Sequence, residues 1–247
     1  MALQTSGAIS LANIQTEFGG ANPISISEYY GVGTVPASGT ISLSHFYGQT
    51  ARAPAGSQTF TASGTFTVPL GYTSVTICMC GGGGSGATTY SATKAGGGYA
   101  GQAVSQVVSV TSGASISITV GSGAARRVSG QASGIAGSAS KFGAVTANGG
   151  AAGVFGGGYA GNGGALVSAC GAGTFYHGTS REATYGTPFA YGGQASAFGN
   201  GGNAGLSNSG GAAAGGVGAG GGGCVDFIGS VAASGAGGRG QVRISWS

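Results

Sequence analysis

Glycine is concentrated in tracts at residues 81–84, 96–98, 156–158 and 220–223, and these tracts alternate with β-strand patterns. Glycine loses more conformational freedom on folding than any other residue. A chain with 59 glycines in 247 residues can fold only if nearly all of its backbone polar groups find partners. The runs between tracts, such as TSVTICMC at 73–80 and QVRISW at 241–246, have the β-branched content of strands. The sequence therefore describes an ordered glycine-rich scaffold, which favours a structural or adhesive role over an enzymatic one.

The first fifty residues differ from the rest. They carry an imperfect triplication: Ile9-Ser10-Leu11 with Phe18-Gly19, Ile24-Ser25-Ile26 with Tyr29-Tyr30-Gly31, and Ile41-Ser42-Leu43 with Phe46-Tyr47-Gly48. Each serine suits a helix N-cap, Ser25 and Glu28 have capping-box spacing, and each closing glycine suits a left-handed C-terminal position. Three short helices are expected, the longest over about residues 10–18, around a mini-core of Ile9, Leu11, Ile14, Phe18, Ile26, Tyr29, Leu43, Phe46 and Tyr47. Fifty residues make a marginal domain, so this module is expected to lean on a partner.

Residues 51–57 read as a linker around Pro54, and 58–247 as a glycine-rich β domain. Its strands are expected at 58–61 and 65–68 (a hairpin turning at Ser63-Gly64), then at 74–80, 103–110, 115–120, 140–146 and 240–246. The last of these is expected to pair with 75–80. The tracts at 149–164, 199–205 and 210–223 are candidates for side-by-side packing of polyproline-II-type helices, which have three residues per turn and no internal hydrogen bonds. Flexible glycine loops are the alternative. The fold class is thus mainly β: a small module of short helices followed by a β-sandwich-like glycine-rich domain.

Charged residues make up 5% of the chain, against about 25% in an average soluble domain. Of the eight cations only Arg126 and Arg127 are adjacent, which excludes a nucleic-acid-type basic patch. A surface so poor in charge is expected to be covered largely by neighbouring chains. No apolar run is long enough to span a bilayer, and the N-terminus lacks the features of a signal peptide, so synthesis in the cytoplasm is expected. Cys78 and Cys80 sit two apart in a strand and share a face, so they cannot bridge each other. With Cys170 and Cys224 they are expected to be buried free thiols, a disulfide or a metal being the alternatives.

No Gly-Lys-Ser/Thr follows a glycine tract, which argues against a phosphate loop. Glycan hydrolysis needs paired carboxylates, and the only acids are Glu17, Glu28, Glu182 and Asp226. His45 and His177 have no partners for a catalytic triad. No enzyme, cofactor or metal site is expected. One window stands out: residues 175–191 hold five aromatics with His177, Arg181 and Glu182. Tyrosine buries contact area at low entropic cost, and Tyr and Arg are favoured interface anchors. Tyr176, His177, Arg181, Tyr185 and Tyr191 are therefore candidate contacts, with Tyr90, Lys94 and Tyr99 as a second loop; alternatively the aromatics cover the scaffold's own surface.

The stretches SGAISLANIQTEFGG (6–20), PISISEYYG (23–31) and SGTISLSHFYG (38–48) resemble an N-terminal module of tailed-bacteriophage virion proteins. The FTASGTFTVP entry (60–69), the SVTI strand (74–77), the long glycine tract and the GGRGQVRI exit (237–244) are similar to the glycine-rich domain of phage tail-fibre and adhesin proteins. The resemblance implies a virion component at the tail or a fibre. Its N-terminal module would dock on other virion proteins through Ile9, Leu11, Phe18, Ile26, Tyr29, Leu43, Phe46 and Tyr47. Present in several copies, its glycine-rich domain would bind a saccharide or outer-membrane protein of a host bacterium. A purely structural virion part, such as a capsid decoration, collar or fibre connector, is the alternative.

Overall fold

The computed structural model describes residues 3–49, 53–90, 94–128, 130–156, 181–182, 189–190, 192–193, 195–196, 198–206, 214–226 and 233–247. The chain is mainly β, with one short α-helix and antiparallel sheets. In the N-terminal module, α1 spans Leu11–Phe18, while the second and third repeats form single 3-10 turns, Ile26–Tyr29 and Leu43–Phe46. Four residues, two of them apolar, are too few to propagate an α-helix before the closing glycine ends it. Gly19, Gly31 and Gly48 adopt φ of 75°, 76° and 68°, the region that a side chain disfavours.

The three repeats share one capping device. Asn13 Oδ1, Glu28 Oε1 and His45 Nδ1 accept from the backbone N–H of Ser10, Ser25 and Ser42 at 3.0, 3.2 and 3.2 Å. Ile14, Tyr29 and Phe46 are buried with Leu3, Ile9 and Val35. Phe18, Tyr29 and Phe46 form an aromatic triangle with centroid distances of 5.7–6.1 Å. Leu43 departs from the expected mini-core, being 40% exposed as the first residue of its 3-10 turn, and Leu3 and Val35 contribute to the core instead.

The strands after the module are β1 (Gly56–Phe60), β2 (Gly64–Thr67), β3 (Ser74–Cys80), β4 (Thr88–Tyr90), β5 (Ala103–Ser109), β6 (Ser115–Thr119), β7 (Ser140–Phe142), β8 (Val145–Ala147), β9 (Arg181–Glu182), β10 (Phe189–Ala190), β11 (Gly205–Leu206), β12 (Cys224–Asp226) and β13 (Gln241–Trp246). One four-stranded sheet has the order β1-β13-β3-β5 and a second the order β2-β6-β7-β8. The expected hairpin at Ser63-Gly64 does not form. β1 pairs with β13 and β2 with β6, so the short link carries the chain from one sheet to the other. The reason lies in Phe60 and Phe66: both sheets contribute to a single core, where Phe66 joins Val75, Ile77, Met79, Ile118, Phe142, Val242 and Ile244, and Phe60 packs at its margin. The expected strand over 140–146 is two strands, β7 and β8, folded back at Gly143 (φ 54°). The expected pairing of the last strand with 75–80 is present, Ile244 lying opposite Ile77.

Six strands of these sheets run without interruption into, or out of, glycine-rich tracts. β3 continues into 81–88, β6 into 121–128 and β8 into 148–156, while 94–102, 132–138 and 233–240 lead into β5, β7 and β13. A strand directs its hydrogen bonds to two sides. In the tract 81–88 they turn through three. Gly81, Gly84 and Ala87 donate to Gln102, Tyr99 and Gly96; Gly82, Ser85 and Thr88 donate to Ser138, Ile135 and Ala132; Gly83 and Gly86 donate to Gly238 and Gly235. Its carbonyls accept from three further segments: Gly82 and Ser85 from Gly150 and Gly153, Gly84 and Ala87 from Gly221 and Cys224, and Gly83 from Ala124. Successive partners are thus three residues apart, and the tract has six neighbours.

Those neighbours also bond to one another in a closed ring. Residues 94–102 bond to 148–156 (Tyr99 N–H to Ala151 O, 3.0 Å), which bond to 132–138 (Gly137 to Gly150, 2.8 Å), which bond to 121–128 (Ser138 to Ser122, 3.0 Å). The ring continues to 233–240 (Gly237 to Ala124, 2.9 Å), to 218–224 (Gly238 to Ala219, 2.8 Å) and back to 94–102 (Gly98 to Gly221, 2.8 Å). Such close packing leaves no room for side chains facing a neighbour. A Cβ on Gly82, Gly83, Gly84 or Gly86 would lie 1.9–2.1 Å from a carbonyl oxygen of a ring segment. In the ring, Gly98, Gly101, Gly134 and Gly137 are restricted in this way by carbonyl oxygens of the central tract, at intervals of three, and Gly123, Gly149, Gly150 and Gly220 by carbonyl oxygens of adjacent ring segments.

Cys78 is engaged in a disulfide, contrary to the expected free thiol, and its partner is neither Cys80 nor Cys224, which are buried thiols; Cys170 lies outside the described residues. Cys78 and Cys80 are buried although neither belongs to the main core; β3 is an inner strand of its sheet, and Gly218 of the adjoining ring lies so close to Cys80 that a Cβ added there would fall 2.6 Å from its Sγ. Burial pushes the Cys80 thiol up from 9.0 to about 12. Because the folded value exceeds the unfolded one, the linked stability is complete below pH 9 and is lost as pH rises towards 12. Tyr29, raised by burial and by the neighbouring Glu28 carboxylate, acts in the same direction. Thermal melts are expected to be flat near neutrality and to fall above about pH 9, with Cys80 unlabelled by iodoacetamide at pH 8 in the folded protein. Labelling at the rate of a free thiol would contradict this burial.

Candidate functional site

The bundle has two unlike ends. One adjoins the two sheets, where residues 81, 102, 121, 138, 148 and 240 meet the strands. At the other, Thr88 bridges Ala132, Ala95 bridges both Phe155 and Ala190, and Val128 bridges Ala233. The three-stranded sheet β11-β12-β4 is also there, parallel throughout, over a small core of Ala87, Ala95, Ala190, Ala204 and Val225. The described residues that flank the connections 91–93, 129, 157–180 and 227–232 stand at this far end; before the connection 207–213 Leu206 stands there in β11, whereas after it the chain resumes along the flank, Gly215 donating to Ala236 O and Gly218 to Arg239 O nearer the sheets. The geometry follows from the topology: tracts that leave strands at one end must reverse direction at the other.

The sequence-predicted contact residues are placed as follows. Arg181 lies in β9 opposite Ala190 of β10, and the Ala95–Ala190 bridge ties this pair to the far end. Tyr176, His177, Tyr185 and Tyr191 lie outside the described residues. In the second candidate loop, Tyr90 ends β4 opposite Asp226, and Lys94 is exposed, its carbonyl accepting from Gly156 N–H at 2.8 Å. Tyr99 is not in that loop. It is half-buried within its tract, donating to Ala151 O and accepting from Gly84 N–H at 2.9 Å. The structure therefore brings Lys94 and β9–β10 to one end and leaves Tyr99 on the bundle's flank.

Most of the sequence-predicted docking residues hold the module together. Ile9, Tyr29 and Phe46 are buried, and Leu11, Phe18, Ile26 and Tyr47 pack partly against them. Tyr29 Oη donates to Gly19 O at 2.6 Å, Tyr30 Oη to Gly39 O and Tyr47 Oη to Gly7 O. Leu43 and Tyr30, at 40% and 41% exposure, are the large apolar side chains the module presents outward. A cleft of about 510 Å³ separates Phe18 and Val32 of the module from Leu70 and Ser112 of the β domain, with Glu17 its one titratable group.

Sequence reading missed the ring of tracts. Its signal was present as glycine pairs three apart (98 and 101, 134 and 137, 150 and 153), masked by the alanine, serine and tyrosine between them. Among the described residues no cluster of metal-ligating side chains occurs, and no helix is long and apolar enough to cross a membrane. Residues 58–247 match a family model described as a glycine-rich domain. No curated protein matches the chain.

Proposed function

We propose, from the premise that the chain belongs to the glycine-rich domain family through residues 58–247, that it is a tailed-bacteriophage virion protein of the tail-fibre or tail-tip adhesin type. The observation that carries the reading is the polarity of the bundle: strands at one end and the chain's reversals at the other. Such a scaffold presents variable segments on a rigid support, which is how binding loops are commonly carried. The three-residue hydrogen-bond repeat supports reading the tracts as polyproline-II-type helices, and the core shared by two four-stranded sheets supports reading the strands as a sandwich.

In this reading the module docks on the virion through its exposed face, with Leu43 and Tyr30 in contact. The window 175–191, anchored by β9 and β10, meets a surface molecule of the host. Individually weak contacts through Tyr176, His177, Arg181, Tyr185 and Tyr191 are multiplied by copy number into avidity.

The test is adsorption of the labelled full chain, displayed on beads, to a panel of bacterial strains. The comparison is a variant with alanine at those five positions, whose melting temperature is checked first. Saturable binding to some strains, reduced more than about tenfold in the variant, is the expected result, since aromatic and arginine anchors each contribute on the order of 2 kcal/mol. Binding to no strain, or binding unaffected by the five substitutions, would transfer the reading to a structural virion part such as a connector or decoration.

A further inference from the structure

Outside the window just discussed, one flank of the bundle near its far end has a chemical character the rest of the scaffold lacks. Arg126, Arg127 and Val128 end one tract, Ile135 lies on the next and Val154 on the one after. Hydrogen bonds fix these at a common height. Ser85 donates to Ile135 O and accepts from Gly153 N–H, both at 2.9 Å. Ser133 O accepts from Arg127 Nε at 3.2 Å, while Ser133 Oγ accepts from Phe155 N–H at 3.1 Å. Val128, Ile135 and Val154 are 51%, 37% and 53% exposed, on three tracts that are consecutive in the ring.

Both arginines are exposed, and among the described residues no carboxylate pairs with either. Arg127 is held by its Nε bond to Ser133 O. In a chain with four acids, the two arginines that are neighbours in sequence stand beside an aliphatic band. A pair of cations is too few to hold a nucleic acid against salt. Three separated aliphatic side chains on a flat, rigid bundle do not make a membrane-inserting face. Guanidinium binds carboxylate through paired N–H···O bonds, and a sugar ring presents C–H groups that suit a low aliphatic surface.

We propose that this band binds an acidic polysaccharide, with uronic-acid carboxylates on Arg126 and Arg127 and sugar rings across Val128, Ile135 and Val154. The proposal rests on the adhesin reading for its biological setting, though its chemistry does not depend on the 175–191 window.

The experiment is calorimetric titration of the full chain with oligogalacturonate at low and moderate salt. Neutral dextran and phosphatidylglycerol vesicles are run in parallel. The expected result is salt-sensitive binding of oligogalacturonate, weakened at least about tenfold in R126A/R127A, as loss of charge-assisted hydrogen bonds requires. V128S/V154S should weaken binding without changing the salt dependence. R239A/R243A removes the same charge elsewhere and should stay within about twofold, because rim or distant charges contribute little. No binding of oligogalacturonate, equal loss in the charge-matched control, or preference for dextran or vesicles would overturn the proposal. Strain adsorption of R126A/R127A separates the two readings. Adsorption without galacturonate binding in the unaltered chain leaves the adhesin standing and removes this site; galacturonate binding without adsorption does the reverse.

Discussion

Gly84→Ala is expected to destabilise the β domain severely. A methyl group there would lie 1.9 Å from Ala151 O, and the obstacle is backbone, which cannot rotate aside as a side chain can. To make room, residues 148–156 must move away, which breaks the bonds of Gly82 and Ser85 to Gly150 and Gly153 and strains those of Gly84 to Tyr99 and Gly221. Overpacking in a close-packed core costs about 1–3 kcal/mol, and each lost buried hydrogen bond adds roughly 1 kcal/mol. Roughly 4 kcal/mol or more is expected, a large part of the 5–15 kcal/mol that holds a typical domain folded. Ala125→Ser, at an exposed position of a ring tract, is the control and should change stability by less than about 0.5 kcal/mol. Urea titration of the two variants checks both statements. A Gly84→Ala protein as stable as the parent would mean that the tracts are not packed as described.

Phe46→Ala is expected to unfold the N-terminal module while leaving the β domain intact. Phe46 is fully buried and meets Phe18 and Tyr29 edge-on at 6.0 and 5.7 Å. Truncating such a residue costs about 3–5 kcal/mol, and a core of this size rarely supplies more than about 3–5 kcal/mol in total. The two cores contain different residues, 3–47 in one and 53–246 in the other. Amide spectra should therefore lose dispersion for residues 3–49 and keep it for the rest. Leu43→Ser, by contrast, should leave the spectrum unchanged and, in the proposed reading, weaken attachment to the virion. Loss of both regions together in Phe46→Ala would show that the module and the β domain fold as one unit.

The difference between what was legible in the sequence and what was not has a physical origin. Strands with period-two alternation were readable one at a time: residues 74–80 were expected as a strand and form β3, and the partnership of the last strand with it followed from matching apolar faces. The hairpin at Ser63-Gly64 was misread because a turn signal reports a change of direction, not the partner. Phe60 and Phe66 are better buried on opposite sides of a shared core than across a ladder. The split of 140–146 at Gly143 was hidden because Val145 continues the apolar pattern across the turn. The tracts were hardest: a residue such as Gly134 is required by its distance to Ser85 O, 2.1 Å from an added Cβ, and that neighbour is remote in sequence. Alanine-rich dilution at 151–152 looked irregular because it is the carbonyl of Ala151 that lies against Gly84 of the central tract, while the residue itself is exposed. At the candidate site, the aromatic content of 175–191 was visible from composition. The proximity of Arg127 to Ser133 and Phe155 was not, since it depends on which tracts are neighbours in the ring.

Amide hydrogen exchange of residues 81–88, resolved by NMR in the full chain, tests most directly whether the glycine tracts form a packed scaffold. Each of these N–H groups is bonded to a ring segment and each residue is buried. Their amides should therefore exchange among the slowest in the chain, with opening free energies close to that of global unfolding. Among them, protection should not alternate with a period of two, as it does in a strand with one solvent-facing side. Exchange of Gly82, Gly83 and Gly84 at the rate of an open chain would contradict the bundle and, with it, the rigid far end on which the proposed adhesin depends.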